Sequence, residues 1–275
     1  MSSRVQRAAL VAALRIVDRF RPGVVLGMGG YVMAPAIAAA RVRRIPYVLH
    51  EKDVRPGLAT RFFAPGAAAV CTTLPGTDRR LSGSIRTGVP LREGFDVRTP
   101  MVPPRRLLIT GGSQGARRLN DATWSALDSL AQRYEEVIHV AGRQGAGGIA
   151  SHARERYTGL TYTDDMPALM ARSDLIVSRA GVSTIAEAAA VGLPMVLVPG
   201  TFGGGHQEEN ALAMVDVGAA VRIADEDLTG ERLRKTLEDL EPDRLRAMAR
   251  ASATAGIRDA ARRVLAVLRE VVAKA

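Results

Sequence analysis

The chain has 275 residues, of which 47% are hydrophobic and 4% aromatic, and it carries a formal net charge of +10. No apolar run is long enough for a membrane-spanning helix, so the composition predicts a globular protein. The single cysteine, Cys71, excludes an internal disulfide and is typical of a reducing compartment.

The positive charge is concentrated in the first part of the chain. Residues 1–100 contain 16 lysine and arginine residues against six acidic residues, whereas residues 101–275 contain 22 of each kind. Such an imbalance indicates a polyanionic partner, either nucleic acid, an anionic membrane surface or a phosphorylated substrate. The scarcity of aromatic side chains counts against nucleic acid. An arginine-rich genome is the alternative, but it would not explain the difference between the two parts.

Short aliphatic runs alternate with helical patterns along the chain. The predicted strands are 23–28, 46–51, 68–73, 106–111, 136–142, 174–179 and 194–200, and helices are predicted at 33–43, 116–132 and 183–191. Because these strands do not alternate apolar with polar residues, they are typical of parallel sheets covered on both faces. The pattern therefore predicts an α/β fold.

A linker is predicted in residues 91–105, which contain three prolines, mixed charge and no periodicity. This places one domain at residues 1–99 and a second at residues 100–275. The tail from about residue 229 has a helical pattern throughout and ends in a basic amphipathic stretch. This terminal helix is assigned to the second domain and is expected to be able to pack back on the first.

A glycine-rich turn follows the predicted strand in RRLLITGGSQGARRLN, residues 105–120. Gly111, Gly112 and Gly115 would let backbone N–H groups approach a ligand, and the following helix start attracts negative charge. The stretch therefore predicts a phosphate-binding turn. The chain lacks both the Gly-Lys-Ser/Thr triplet of a P-loop and a Tyr-x-x-x-Lys motif, which excludes two nucleotide-binding families. A turn that merely closes a strand–helix junction is the alternative.

Three further segments allow a structural and a functional interpretation. GMGGYV, residues 27–32, is a second glycine turn. In RAGVSTIAEAAAVGLP, residues 179–194, Thr184 and Glu187 fit a capping box, while Glu187 at a strand's carboxyl end could instead bind ribose hydroxyls. In GTFGGGHQEENA, residues 200–211, His206 and Gln207 could bind a polar ligand, while the following glutamates could simply favour the helix start. Four scattered histidines and one cysteine do not predict a zinc site.

Six segments, in their order and spacing, resemble the MurG glycosyltransferase family. They are FRPGVVLGMGGYVMAPAIAA, PYVLHEKDVRPGLA, TGVPLR, LLITGGSQGARRLN, DDMPALMARSDLIVSRAGVSTIAEAAAVGLP and GGGHQEENA, and the resemblance runs from about residue 8 to the C-terminus. Members of that family transfer N-acetylglucosamine from UDP-N-acetylglucosamine to a lipid-linked muramoyl-pentapeptide in peptidoglycan synthesis. The resemblance implies an α/β, GT-B-like fold of two Rossmann-like parallel-sheet domains, with the UDP-sugar held mainly by the second. It also implies inverting transfer without metal or cofactor, in which a base takes the proton of the acceptor hydroxyl.

The resemblance also implies the substrate-binding residues. Ser113 would bind the diphosphate with backbone help from Gly112 and Gln114, and Arg92 would add a charged phosphate contact. Thr163 would meet the uracil through its backbone, and Gln207 would bind the sugar hydroxyls. The nucleotide would be surrounded by Val182, Ser183, Thr184, Ile185, Ala186 and Glu187, with Glu187 on the ribose.

Two departures from the family pattern affect the first domain. The family's HEQN reads His50, Glu51, Lys52 and Asp53 here, and the Asp53 carboxylate would repel a diphosphate unless it were protonated or turned away. The family's Gly-Gly-Thr-x-Gly-His loop, thought to receive the lipid diphosphate and to carry a candidate base, is expected to be missing and the first domain incomplete. His50 and Glu51 are then the candidate bases, and the 275 residues alone are expected to bind donor but transfer little sugar.

Three explanations of the missing loop stay open: a misassigned start codon, a split enzyme with a separate partner subunit, or a non-catalytic UDP-sugar-binding paralogue acting as a cell-wall scaffold. The expected location is peripheral, at the cytoplasmic face of the cell membrane. In residues 5–21, Leu10, Leu14 and Phe20 could lie against lipid while neighbouring arginines meet anionic headgroups. The alternative is an ordinary helix that packs on the sheet.

Overall fold

A computed structural model describes residues 3–201 and 205–275. The chain forms two compact units. Unit 1 comprises the residues up to Pro90 together with Asp259–Ala275, and unit 2 comprises Leu91–Arg258. The division thus falls before the predicted linker rather than at residue 99, and the last helix belongs to unit 1.

The segment predicted as a linker is bound to unit 2 through one buried carboxylate. Asp174, which is 3% exposed, accepts a hydrogen bond from the Arg98 guanidinium (2.5 Å) and from the backbone N–H groups of Met101, Arg105 and Arg106 (3.0 Å each). The backbone N–H of Arg98 also donates to the Val191 carbonyl. Because charge-assisted hydrogen bonds to a buried carboxylate are strong, these contacts fix residues 98–106 on unit 2.

Unit 1 is a four-stranded parallel sheet with helices. Its elements in chain order are α1 (Ser3–Phe20), β1 (Val25–Gly27), α2 (Ala34–Val42), β2 (Tyr47–Glu51), α3 (Leu58–Phe63), β3 (Ala69–Thr72), β4 (Ile85–Arg86) and α11 (Ala260–Ala273). The strands lie in the order β1-β2-β3-β4. Ile37, Leu49 and Phe63 belong to its buried core, and the Tyr47 hydroxyl donates to the Phe63 carbonyl at 2.8 Å.

The first helix, α1, packs against α2 with the face that carries Leu10, Ala13, Leu14 and Val17. The expectation that Leu10 and Leu14 lie against lipid is therefore wrong, because both side chains are partly buried in this helix–helix contact. The pair is also joined at the surface, where the Arg43 guanidinium contacts both carboxylate oxygens of Asp18 at 2.5 and 2.6 Å.

Unit 2 is a six-stranded parallel sheet, also accompanied by helices. Its elements in chain order are β5 (Arg106–Thr110), α4 (Arg117–Arg133), β6 (Glu136–Val140), α5 (Ala146–Ser151), β7 (Tyr157–Leu160), α6 (Met166–Arg172), β8 (Leu175–Arg179), α7 (Val182–Val191), β9 (Met195–Val198), α8 (His206–Asp216), β10 (Ala220–Arg222), α9 (Gly230–Glu238) and α10 (Pro242–Ala255). The strand order is β10-β9-β8-β5-β6-β7. The central strands are buried except for Arg106 at the start of β5 and Arg179 at the end of β8, as the unalternating aliphatic runs predict.

The predicted α/β fold with two parallel-sheet domains is confirmed. All seven predicted strands are present, and the prediction missed the three short strands β4, β7 and β10. These have two, four and three residues, and none of them is uniformly buried, so none produces an aliphatic run. None of the described helices is both long and apolar enough to span a bilayer.

Candidate nucleotide-sugar site

The glycine turn lies between β5 and α4, at the edge of the sheet where ligands bind in open parallel folds. Thr110, the last residue of β5, pairs with Val140 of β6 and Ser178 of β8, so the three strands end at one level. The side chains of Ser113 and Gln114 are exposed. The first N–H groups of α4 have no partner within the helix, which makes this helix start suited to an anion.

Hydrogen bonds within the turn and from the next loop fix its shape. The Gly112 N–H donates to the Thr110 hydroxyl (3.2 Å), and the Gly115 N–H donates to the Gly112 carbonyl (2.9 Å). The loop after β6 adds two bonds, in which Arg143 N–H donates to the Ser113 carbonyl and Gln144 N–H to the Gln114 carbonyl (3.3 and 3.1 Å). The turn therefore holds its shape through four backbone N–H donors.

A cavity of about 690 Å³ opens beside the turn. It is lined by residues at the carboxyl ends of five strands. These are Gly111, Gln114, Gly115, Ala116, Arg117 and Arg118 after β5, Gln144 after β6, Arg179 at the end of β8, Gly200, Thr201 and Gln207 after β9, and Asp225 and Glu226 after β10. Its volume lies within the range of small-molecule sites in proteins. The cavity thus joins two predicted site residues, Gln114 and Gln207.

Gln207 is fixed by a backbone hydrogen bond. It lies in the first turn of α8, and its Oε1 accepts the N–H of Gly200 at 2.8 Å. Because the side-chain oxygen is engaged in this bond, the NH₂ group of Gln207 is the part of the side chain that is left to bind a ligand, and it can only donate. The rest of the predicted loop, residues 202–204, lies outside the described residues.

A buried ion pair that was not predicted forms one wall of the cavity. Arg179 donates to the Asp225 carboxylate (2.5 Å) and to the Val198 carbonyl (3.3 Å), and Arg118 donates to the Asp225 carbonyl (2.9 Å). Both members of the pair are nearly buried, at 13% and 11% side-chain exposure. Arg179 ends the apolar run DLIVSR. A charged residue at the carboxyl end of a predicted buried strand is the sequence feature from which this site residue could have been predicted.

The start of α7 forms a second group of predicted residues. The helix begins at Val182 after Gly181, with no side-chain cap, so the capping-box interpretation of Thr184 and Glu187 is wrong. The first hydrogen bond of the helix runs from the Ile185 N–H to the Gly181 carbonyl. The N–H groups of Val182, Ser183 and Thr184 therefore make no hydrogen bond within the helix. Val182 and Ile185 are buried, so only their backbones can reach a ligand. Ala186 is partly buried.

Glu187 lies with Arg92 and the loop after β7. Its Oε1 is 4.0 Å from the Arg92 guanidinium, which also donates to the Asp164 carbonyl at 3.1 Å. Burial raises the pKa of Glu187, and Arg92 opposes that shift. Thr163, next to Asp164, is partly buried and accepts the Asp165 N–H through its hydroxyl. Arg92 therefore contacts Glu187 and the residue next to Thr163, the two positions predicted for the nucleoside.

In unit 1 the candidate bases are engaged in structural contacts. His50 is fully buried, and its Nε2 lies 2.8 Å from the Gly88 carbonyl. Burial lowers its pKa. The Glu51 carboxylate accepts the N–H groups of Lys52, Asp53 and Gly57 at 3.0, 3.3 and 3.1 Å. The His50 contact joins β2 to the segment after β4, and the Glu51 contacts hold the loop after β2, so both geometries favour a structural role over proton transfer. Asp53 is partly buried in this loop.

Among residues 3–201 and 205–275, no group of three or more histidine, cysteine, aspartate or glutamate side chains is arranged to hold a metal ion. The groups in unit 2 that are suited to negative charge are the helix starts, the glycine-turn amides and the arginines. This arrangement suits a nucleoside diphosphate linked to a polar group.

Two parallel-sheet units and a diphosphate-type turn are the architecture of nucleotide-sugar glycosyltransferases with two Rossmann-like domains, and the family models assign the chain to that class. The model of the glycosyltransferase family 28 N-terminal domain matches residues 2–72, and that of the C-terminal domain matches residues 106–264. The chain belongs to the MurG family of these enzymes.

Individual relatives agree. The UDP-N-acetylglucosamine–N-acetylmuramyl-(pentapeptide) pyrophosphoryl-undecaprenol N-acetylglucosamine transferase of Nocardioides sp. is 40% identical, over 96% of this chain and 77% of its own length. The enzyme of the same name from Syntrophotalea carbinolica is 39% identical, over 94% and 75%. Among solved structures, Acinetobacter baumannii MurG superposes with a TM-score of 0.82 at 27% identity, over 98% of this chain and 81% of that one. The resemblance deduced from the six segments is confirmed.

Proposed function

We propose that this chain transfers N-acetylglucosamine from UDP-N-acetylglucosamine to a muramoyl-pentapeptide carried on undecaprenyl pyrophosphate, the reaction that its relatives' name describes. The observation that carries the proposal is the glycine turn with exposed Ser113, next to a cavity that Gln207 lines. A diphosphate at the turn places the attached sugar within that cavity, where the Gln207 amide donates to a sugar hydroxyl.

The nucleoside is assigned to the second group of residues. The Glu187 carboxylate accepts hydrogen bonds from the ribose hydroxyls, and the backbone of Thr163 meets the uracil. Arg92 is already bound to Asp164 and near Glu187, so we assign it to the nucleoside end of the ligand. The turn and the start of α7 then supply the N–H groups for the two phosphates.

Calorimetry with UDP tests the donor site. Ser113→Asp places a carboxylate against the diphosphate and is expected to weaken binding at least about tenfold through like-charge repulsion. Ser151→Asp, which adds the same charge at an exposed serine at the end of α5, is the matched control and should bind as wild type does. If wild type has no affinity for UDP at millimolar concentration, the donor-site assignment is wrong.

Transfer itself is tested with labelled UDP-N-acetylglucosamine and a lipid-linked muramoyl-pentapeptide, and only a low rate is expected of the 275 residues alone. Gln207→Leu should reduce transfer while calorimetric binding of UDP, which lacks the sugar, stays unchanged. A variant that loses UDP binding and transfer together would place Gln207 at the nucleotide instead of the sugar.

We also propose that unit 1 associates with an anionic membrane surface. Its residues contain 18 lysine and arginine residues against six acidic ones, a net charge of +12. On α1, Val5, Ile16 and Phe20 are 51%, 66% and 79% exposed, and their spacing puts them on one face of the helix. An apolar stripe with exposed Arg15 and Arg19 on the same helix is typical of interfacial helices.

Vesicle flotation tests this location. Wild type should bind vesicles containing phosphatidylglycerol, bind neutral vesicles less, and be released as salt screens the charges. Ile16→Asp combined with Phe20→Asp should reduce binding, whereas Val272→Asp, at an exposed apolar position of α11, should not. Equal binding to neutral and anionic vesicles would remove the electrostatic argument.

A further inference from the structure

A chain of hydrogen bonds, buried at one end and partly buried at the other, runs through unit 2 behind the glycine turn. Trp124 Nε1 donates to the Tyr157 hydroxyl (3.1 Å), which lies 3.0 Å from His139 Nδ1. His139 Nε2 lies 3.0 Å from Asn120 Oδ1, and Asn120 Nδ2 donates to the Ala141 carbonyl (2.9 Å). Asn120 and His139 are buried almost completely.

The partners fix the direction of every bond in this chain. Asn120 Oδ1 can only accept, so the His139 proton is on Nε2, and Nδ1 accepts the proton of the Tyr157 hydroxyl. That hydroxyl in turn accepts the Trp124 N–H. Each hydrogen bond thus has one fixed direction. Removing the imidazole leaves the Asn120 oxygen without its donor and the Tyr157 hydroxyl without its acceptor. Buried polar groups in such networks are costly to leave unpaired.

The far end of the chain meets the glycine turn. A methyl group on Gly115, whose φ is +84°, would overlap the Ala141 carbonyl oxygen that Asn120 holds. A methyl group on Gly142 would overlap the Gly115 nitrogen, and one on Gly145 would overlap the Asn120 amide. The loop after β6 therefore packs closely against both Asn120 and the turn. The same loop donates two backbone N–H groups to the turn.

We propose that His139 is a positioning residue for the donor diphosphate: through Asn120 and Ala141 it holds the glycine turn in the shape that receives the two phosphates. The inference rests on the proposed function, because it takes the turn to be the diphosphate site. His139 itself is buried and contacts no ligand.

The protonation state of the ring agrees with this role. Burial, and to a smaller extent His152, lower the pKa of His139 to about 4. The imidazole is thus neutral near pH 7, with the one donor and one acceptor that the hydrogen-bond chain uses.

Binding of UDP and of uridine to the full chain tests the proposal without an activity assay. His139→Phe keeps a ring but removes both hydrogen bonds, and we expect it to weaken UDP binding about tenfold, the equivalent of one lost hydrogen bond. Uridine lacks the diphosphate, so its affinity, measured by ligand-observed NMR, should be unchanged. His139→Gln, whose amide can donate to Asn120 and accept from Tyr157, should restore UDP binding to within about threefold of wild type.

Two further variants keep the test decisive. Leu130→Ala removes a fully buried side chain at the other end of α4 and should lower stability while leaving UDP affinity unchanged. If His139→Phe does not fold, Asn120→Asp, which loses the donor to Ala141, replaces it and should show the same selective loss of UDP binding.

The outcomes are separable. If His139→Phe or Asn120→Asp binds UDP as tightly as wild type does, the inference is wrong and the proposed function stands. The same holds if the variants lose affinity for UDP and for uridine equally. Absence of UDP binding by wild type overturns the proposed function and this inference with it.

Discussion

Acidification should destabilise unit 2 through His139. In the folded chain, burial lowers the pKa of this residue from 6.5 to about 4. The unfolded chain therefore binds a proton between these two values while the folded chain does not, so stability is lost as pH falls from about 6.5 to about 4 and no further below that. At about 1.4 kcal/mol per pKa unit, the contribution is about 3 kcal/mol.

Urea unfolding followed by tryptophan emission measures this contribution. Trp124 is the only tryptophan in the sequence, it lies in unit 2, and it is stacked on His152 at 4.8 Å, so its emission reports on this unit. The free energy of unfolding should fall about 3 kcal/mol more between pH 7 and pH 4 in wild type than in His139→Gln, because all other titrating groups are shared. The same pH dependence in both proteins would refute the assignment of a buried neutral imidazole.

Three further substitutions have defined outcomes. Gly115→Ala should weaken calorimetric UDP binding at least about tenfold because the added methyl group overlaps Ala141, whereas Gly147→Ala, which meets open space, should not. Asp174→Asn should lower the urea-measured free energy of unfolding by about 3 kcal/mol, since it breaks a buried charge pair; a loss under 1 kcal/mol would contradict this. Glu187→Gln should weaken UDP binding about tenfold but leave binding of dideoxyuridine diphosphate unchanged, and equal losses would remove Glu187 from the ribose.

The sequence by itself was sufficient for the class of fold and for the position of the glycine turn. Buried parallel strands require uninterrupted aliphatic runs, and 106–111 or 174–179 show them directly. A turn that folds back on neighbouring backbone requires glycine, which is why Gly111 and Gly115 mark it. Both signals are local, so they can be read without knowing what packs nearby.

Only the tertiary structure decided which groups meet across long separations. Arg92 donates to the carbonyl of Asp164, 72 residues away, and this contact is the basis on which we proposed it for the nucleoside end of the site. The inward face of α1 was decided by packing against α2, because the helix carries apolar residues on more than one face. His139 looks like any other strand residue in the sequence. Its partners come from α4 and β7, and a hydrogen-bond network exists only where the fold brings such groups together.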